Sequence, residues 1–421
     1  LYIKGDNMNY KDLKQIKKAS IDFINLDTDT KNSVLIRFKE YIKEYKDNIF
    51  EQNIIDINNA KKDGSISDAF IERLTITDKT IKGMIDGIDK IIEFDDPVGR
   101  YIRVETLQNG LLLKKKTVPF GVIGIIYESR PNVTVDSFCL CLKSGNACVL
   151  KGGSEAINSN KILVSLAKKA LSDFKVDKNL IYLIDDTSRE STLNLLKQTD
   201  LIDLIIPRGG KGLIDFVKSN SMIPIIETGA GNCHMYIDET ADLDLAAKVS
   251  LSAKISRPSV CNALEKILIH KKILNVYLNK IIKLYIDNGV EIRADKFINE
   301  LYPEYTKLAT EADWDIEYND YIIAIKAVDS IYEAIDHINT HSTNHSEAII
   351  SENINNVELF FEKVDSAALY HNASTRFTDG GEFGLGSEIG ISTQKLHVRG
   401  PVGLNELVTY KYLIYGNGNI R

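Results

Sequence analysis

Leu201–Lys218 reads LIDLIIPRGGKGLIDFVK. An apolar, isoleucine-rich run leads into Pro207-Arg208-Gly209-Gly210-Lys211-Gly212, after which apolar residues recur at helical spacing. This is a buried strand, a tight turn and a helix. One glycine suffices to turn a strand into a helix, and this turn has three. Bare backbone N–H groups and two cations at a helix N-terminus make the loop read as an anion site. The form recurs in ACVLKGGSEA (Ala147–Ala156), with Lys151 at the strand end and Ser154 placed to cap the helix.

Outward from these turns, GVIGIIY, LIYLID and MIPIIET are further short apolar runs separated by helical patterns. Continuous apolar strands alternating with helices imply an α/β fold whose parallel sheet is covered on both faces. A second α/β block spans about 238–375, with KILIH, YIIAIKAV, SEAIIS and AALYHN as strands. Before the first block, Met8 to about Asp96 reads as helices, in YKDLKQIKKASIDFINL and SDAFIERLTITDKTIKGMIDGIDKIIEF. Two strand-like runs then meet around Asn109-Gly110, a hairpin signal. The C-terminal ELVTYKYLIYGNGNIR holds one more, free to pair with that hairpin or with another subunit.

The 421 residues, 44% hydrophobic and 26% charged, fit a soluble protein of two or three domains. No apolar run reaches the roughly 18 residues that span a bilayer. The charged N-terminus carries no secretory pattern, and Leu1–Asn7, ahead of Met8, are set aside. Five cysteines are too few for a disulfide framework, so a cytoplasmic location is expected. A net charge of −7 argues against nucleic-acid binding. Anionic ligands would need local arginines and lysines.

The dinucleotide fingerprint is missing. GAGNCH, GLGSEI and GNGNIR each lack its third glycine, which disfavours a standard Rossmann dehydrogenase. His337, His341 and His345 have the spacing of a helical metal face, but the Asn-, Thr- and Ser-rich segment disfavours a helix through all three. No carboxylate or cysteine is placed to complete a shell, so no metal is expected. Cys139, Cys141 and Cys148 read as packed residues. Cys261 differs, lying in the polar turn RPSVCNALE beside Arg257. A neighbouring cation and backbone N–H groups would lower a thiol's pKa from about 8.5. Spacing alone leaves it open as nucleophile or filler.

Longer strings carry a resemblance: VPFGVIGIIYESRPNVTVDSFCLCLKSGNACVLKGGSEA, IDLIIPRGGKGLI, ETGAGNCHMYIDE, RPSVCNALE, HSEAII, VDSAALYHNASTRFTDGGEFGLGSEIGISTQKLHVRGP and GLNELVTYKYLIYGNGNIR. In order and spacing the chain resembles the gamma-glutamyl phosphate reductases (glutamate-5-semialdehyde dehydrogenases), within the aldehyde dehydrogenase superfamily. That superfamily's nucleotide domain lacks the usual glycine fingerprint. The resemblance implies two parallel-sheet α/β domains plus a β-hairpin oligomerisation flap. Residues 8–98 and 117–237 would form an NADP-binding domain, 238–395 a catalytic domain with the nucleophilic cysteine, and 99–116 with 400–421 the flap.

The implied reaction is NADPH-dependent reduction of L-glutamyl 5-phosphate to the semialdehyde and phosphate through a thioester, in proline biosynthesis. Cys261 matches the nucleophile and Asn132 an oxyanion donor. Lys151 and Ser154 match the adenosine-ribose positions, Gly209, Gly210 and Lys211 the pyrophosphate turn, and Glu317 the nicotinamide-ribose glutamate. Where superfamily members preferring NAD often carry a glutamate, Ser154 leaves room for a 2′-phosphate beside Lys151. Arg130, Arg257 and Arg376, with Ser374 and Thr375 in the loop of Arg376, are candidates for the substrate's anionic groups. Glu227, 34 residues before Cys261, matches the water-activating base of hydrolytic relatives. With phosphate as exchange partner it has either a structural or a catalytic role. A homodimer or homotetramer and a glutamate kinase partner are implied; nucleic acid and membrane are not. The alternatives are a related acyl-phosphate or acyl-thioester reductase, or a non-catalytic scaffold for a glutamate kinase.

Overall fold

The computed structural model of the chain describes residues 10–24, 26–63 and 68–421. Leu1–Asn7, Met8 and Ser67, which opens one of the helical patterns above, lie outside them. The chain forms two compact units: one holds the residues up to Thr228 with Gly384–Gly390 and Val402–Arg421, the other Gly229–Phe383 with Ile391–Pro401.

The first unit contains helices Tyr10–Phe23, Thr28–Glu44, Lys46–Asp63 and Asp78–Glu93, of which the second and fourth named begin at side-chain caps. Asp27 accepts the Thr30 N–H, and Thr77 and Thr80 form a reciprocal capping box. Ile81, Met84, Ile88 and Ile91 are all buried, a stripe at three- and four-residue spacing that seats the fourth helix on the core. Phe38 and Phe138 meet edge to face with ring centroids 5.1 Å apart.

Beneath the helices lies a four-stranded parallel sheet, ordered Ile181–Leu183, Ala147–Gly152, Val122–Tyr127, Leu204–Arg208. Val122–Tyr127 and Ala147–Gly152 are buried at every position, as strands covered on both faces must be. Cys139, Cys141 and Cys148 are buried. One expected strand does not form. MIPIIET forms no ladder; Ile225 makes an isolated bridge to Ile205, with Ile205 N–H donating to Pro224 O and Ile226 N–H to Ile205 O. Pro224 has no N–H to continue a ladder.

The same unit carries a three-stranded antiparallel sheet. Leu112–Pro119 is its middle strand, between Tyr101–Thr106 and Val408–Tyr415. The C-terminal strand pairs with Leu112–Pro119 along its whole length, from Val408↔Pro119 to Tyr415↔Leu112. Of the two pairings open to it, it adopts the one with the hairpin. Tyr101, Ile102, Val104, Tyr410, Tyr412 and Ile414 are exposed on this sheet.

The second unit is built on a seven-stranded parallel sheet, ordered Lys307–Leu308, Glu291–Ala294, Ile322–Val328, Leu264–His270, Cys233–Ile237, Ser346–Ile350, Ala368–His371. Alternate residues of each strand serve opposite faces. Met235, Ile237, Ile267 and Ile269 pack with Leu274, Tyr277 and Ile281, whereas Tyr236, Leu268 and Ile349 pack with Ile331, Ile335 and Phe360. Three strands escaped the apolar pattern: Cys233–Ile237 opens with cysteine and histidine, Glu291–Ala294 alternates charge with apolar residues, and Lys307–Leu308 is two residues long. Among the described residues no helix is long and apolar enough to cross a membrane.

Candidate active site

Cys261 sits in the turn between helix Leu243–Ile255 and strand Leu264–His270, and it is the cysteine that is partly exposed while the other four are buried. Its peptide is clamped from behind. A Cβ built on Gly231 would lie 1.4 Å from the Cys261 carbonyl oxygen, so only glycine fits there. GAGNCH is thus a close-approach motif rather than a broken dinucleotide fingerprint. The Cys233 thiol donates to that carbonyl at 3.2 Å, and the Glu317 carboxylate accepts the Gly231 N–H at 2.9 Å.

The loop of Glu317 is itself fastened by buried charges. Lys266 Nζ donates to Ile316 O at 2.7 Å, and Glu265 accepts the N–H groups of Tyr318 and Asn319 at 3.3 Å. Lys254 pairs with Glu265 at 3.1 Å. Burial pushes Glu265 up to about 7, against the pull of Lys254 and Lys266. Burial likewise lowers Lys266 to about 8, opposed by Glu265. Nothing in the local pattern of ALEKILIH announced this pair; only the fold brings Lys254 and the Glu317 loop to it.

Around Cys261, Arg376 donates to Ser256 Oγ at 3.2 Å and to the Asn262 side-chain oxygen. Asn262 donates to Thr378 O at 2.8 Å, and Thr375 Oγ1 donates to Asn262 O at 2.8 Å. Ser374 Oγ accepts the Arg376 N–H at 3.3 Å, capping the turn. The hydroxyls of Ser374 and Thr375 are therefore engaged by the loop, and Asn262 is an organising residue that sequence reasoning passed over. Burial lowers the Arg376 pKa, and the like charge of Arg257 lowers it further, with Asp379 and Cys261 opposing. Two guanidinium groups near one thiol make an anion-seeking surface.

His337 and His341 share helix Ile331–His341, with ring centroids 4.5 Å apart, and His345 lies beyond its end. The fold supplies partners that the sequence hid. Asp315 lies 2.8 Å from His341 Nδ1 across 26 positions, and Cys233 Sγ lies 3.9 Å from His345 Nδ1 across 112. Among the described residues no group of three or more His, Cys, Asp or Glu is arranged to hold a metal.

In the first unit, Lys151 ends its strand buried, and burial lowers its pKa against the opposing carboxylates of Asp186 and Glu155. Ser154 does not cap the helix as expected. It opens a 3-10 turn, Ser154–Ala156, that has no side-chain cap. Glu155 instead folds back to accept the Ser129 N–H at 2.7 Å. Gly209 and Gly210 precede helix Lys211–Asn220, and the Gly210 N–H donates to Glu128 at 3.0 Å. This carboxylate is raised by burial, and it already uses the turn as an anion would. Glu227 pairs with Lys218 at 3.0 Å.

Asn132 opens helix Asn132–Lys143, and its amide donates to Asp136 at 3.2 Å. Just before it, Ser129 is held at φ 48°, a conformation costly for a residue with a Cβ. Arg130 follows, half-buried.

Residues 11–291 match the Aldehyde dehydrogenase family. The chain is 49% identical over 408 residues to the "Gamma-glutamyl phosphate reductase" of Clostridium botulinum (strain Alaska E43 / Type E3), spanning 97% of this chain and 98% of that protein. The Clostridium beijerinckii protein of the same name is 48% identical over 421 residues, covering 100% of this chain and 99% of its own. The chain belongs to the gamma-glutamyl phosphate reductase family of aldehyde dehydrogenases.

Its fold agrees. The crystal structure of the gamma-glutamyl phosphate reductase from Thermotoga maritima superposes with a TM-score of 0.94 at 45% identity, covering 98% of this chain and 99% of that one. An acetylating aldehyde dehydrogenase from Geobacillus thermoglucosidasius shares the fold at a TM-score of 0.70 and 18% identity. Membership makes the chain an oxidoreductase that uses a nicotinamide cofactor and acts on a small molecule. The residues present fit such a cofactor. Lys151 is a buried cation whose pKa burial lowers against the opposing charge of Asp186 and Glu155, and side-chain-free Gly209 and Gly210 open a helix N-terminus.

Proposed function

We propose that the chain reduces L-glutamyl 5-phosphate to L-glutamate 5-semialdehyde and phosphate with NADPH, the second step of proline biosynthesis from glutamate. The observation that carries this reading is the setting of Cys261, a partly exposed thiol with Arg257 and Arg376 beside it, in a chain nearly half identical to named reductases. The thiolate attacks the acyl carbon. A C–S bond forms, the C–O bond to phosphate breaks, and the two guanidinium groups receive the departing dianion. The Cys261 backbone N–H and the Asn132 amide donate to the oxyanion; loss of one such donor costs about 2.7–4 kcal/mol. The bound cofactor supplies the hydride. Collapse of the resulting thiohemiacetal re-forms the carbonyl, releases the aldehyde and returns the thiolate.

Lys151 and the small Ser154 support NADPH over NADH, through a 2′-phosphate beside the lysine. The Glu227–Lys218 pair supports a structural role for Glu227, since phosphate rather than water takes the acyl group. The exposed tyrosines and aliphatic residues of the three-stranded sheet support a homodimer or homotetramer. Because an acyl phosphate is labile in water, a glutamate kinase is the fitting partner, and the cytoplasm the fitting location.

The test is the reverse reaction: NADP⁺ reduction by glutamate semialdehyde with and without inorganic phosphate, in the wild type and in Cys261→Ala. Phosphate-dependent NADPH formation that the variant lacks supports the reading. Equal turnover without phosphate would point to water as acceptor and overturn it.

A further inference from the structure

Asn262 follows the nucleophile in sequence, yet its buried side chain serves a different loop. The amide nitrogen donates to Thr378 O at 2.8 Å and to Arg376 O at 3.2 Å, while the amide oxygen accepts from the Arg376 guanidinium. A carboxamide can do this because it carries two donors and an acceptor in one plane.

Cys261 itself is held by other contacts. The Cys233 thiol donates to its carbonyl at 3.2 Å, and Gly231 packs against its backbone. Neither contact uses the Asn262 side chain. The main-chain oxygen of Asn262 also keeps its bond from Thr375 Oγ1 whatever side chain stands at 262. Backbone contacts therefore fix the thiol, and the Asn262 amide fixes the guanidinium.

Neutral groups aim that guanidinium. Besides the Asn262 oxygen, Arg376 donates through Nε to Ser256 Oγ at 3.2 Å. Neutral acceptors orient a cation without cancelling its charge, whereas a carboxylate in their place would compete with an incoming anion. Asp379 is a carboxylate whose charge favours Arg376, and its Oδ1 is engaged by the Gly381 N–H at 2.8 Å and the Glu382 N–H at 3.4 Å.

We propose that Asn262 is a positioning residue for phosphate, holding the Arg376 guanidinium where the phosphate group departs and, in the reverse reaction, where inorganic phosphate enters. In that direction a phosphate oxygen attacks the thioester carbon, the C–O bond forms, the C–S bond breaks and the thiolate leaves. The inference rests on the function proposed above and deepens it, because it assigns Arg376 to the phosphate rather than to the substrate's carboxylate. A guanidinium free to rotate loses the fork geometry that suits an oxyanion.

The experiment takes the reverse reaction in two halves. Rapid mixing with glutamate semialdehyde and NADP⁺ alone reads a burst of NADPH as the thiol is acylated. Added inorganic phosphate then reads turnover and its KM. In Asn262→Ala the burst rate is expected within about threefold of wild type, while KM for phosphate rises about tenfold and KM for the semialdehyde stays. In Arg376→Ala the KM for phosphate rises at least as far. Adding Asn262→Ala to that variant changes it by less than about twofold, because residues acting through one group do not add.

A burst slowed as much as phosphate turnover would give Asn262 a purely structural role in the turn. A rise in KM for the semialdehyde instead of phosphate would assign Arg376 to the carboxylate, and additive effects in the double variant would separate Asn262 from Arg376. Each of these results overturns the inference. Should Asn262→Ala fold poorly, Asn262→Asp keeps the shape and sets a carboxylate on the guanidinium. Its KM for phosphate is expected to rise about tenfold, and a wild-type value overturns the inference. Wild type is measured first. Turnover without phosphate removes the proposed function and this inference with it; phosphate-dependent turnover with an unchanged KM in the variants removes only the inference.

Discussion

Gly231 and Cys261 touch backbone to backbone: a methyl group on Gly231 would lie 1.4 Å from the Cys261 carbonyl oxygen, and the Gly231 N–H is held at 2.9 Å by Glu317. The thiol's position is therefore set by a residue with no side chain and by the carboxylate that pins it.

Gly231→Ala must push the Cys261 peptide away. Overpacking of this kind costs about 1–3 kcal/mol of stability. A displacement near 1 Å at the reacting atom costs roughly 10²-fold in rate. The expected variant is folded, slightly less stable and at least about 10²-fold slower, by thermal melting and steady-state kinetics. Wild-type turnover in it would show that the contact does not position the thiol.

Cofactor choice should turn on one position beside Lys151. Ser154→Glu sets a carboxylate where a 2′-phosphate would lie, and like charges in contact cost several kcal/mol. The expected outcome is a fall of about 10²-fold in kcat/KM with NADPH relative to NADH. An unchanged ratio would place the discrimination elsewhere.

Glu347 gives a pH signature. It is fully buried, accepts from Ser342 Oγ and the His234 N–H, and is pushed up to about 8, chiefly by burial. His234, whose Nδ1 lies 3.3 Å away, is held far below its usual range by burial, so the two face each other as neutral acid and neutral imidazole near pH 7. Between its ordinary 4.5 and about 8 the folded state keeps a proton that the unfolded state has lost. Stability from this group falls as pH rises through that window. Glu265, raised to about 7, acts in the same direction. Glu347→Gln should flatten the decline in urea midpoint between pH 5 and pH 7.5; parallel slopes in variant and wild type would contradict the assignment.

Much of the architecture was legible because its signals are local. The glycine-rich turn after Leu204–Arg208 and the run Val122–Tyr127 declared a parallel sheet, and Asn109-Gly110 declared the hairpin. What stayed hidden depends on distance along the chain. Strand Cys233–Ile237 has a polar start that burial in the middle of a seven-stranded sheet overrides, and MIPIIET looks like a strand until Pro224 interrupts its ladder. At the site, Cys261 stood out by its polar turn. Asn262 and Glu265 did not, since each matters through partners distant along the chain.

The most direct test of the Cys261 thioester is intact-protein and peptide mass spectrometry of the enzyme mixed with glutamate semialdehyde and NADP⁺ without phosphate. One glutamyl group per chain is expected, on Cys261 and on none of Cys139, Cys141, Cys148 or Cys233, discharged when phosphate is added. Turnover on phosphate addition with no acyl group ever found on Cys261, or an acyl group on another cysteine, would contradict it.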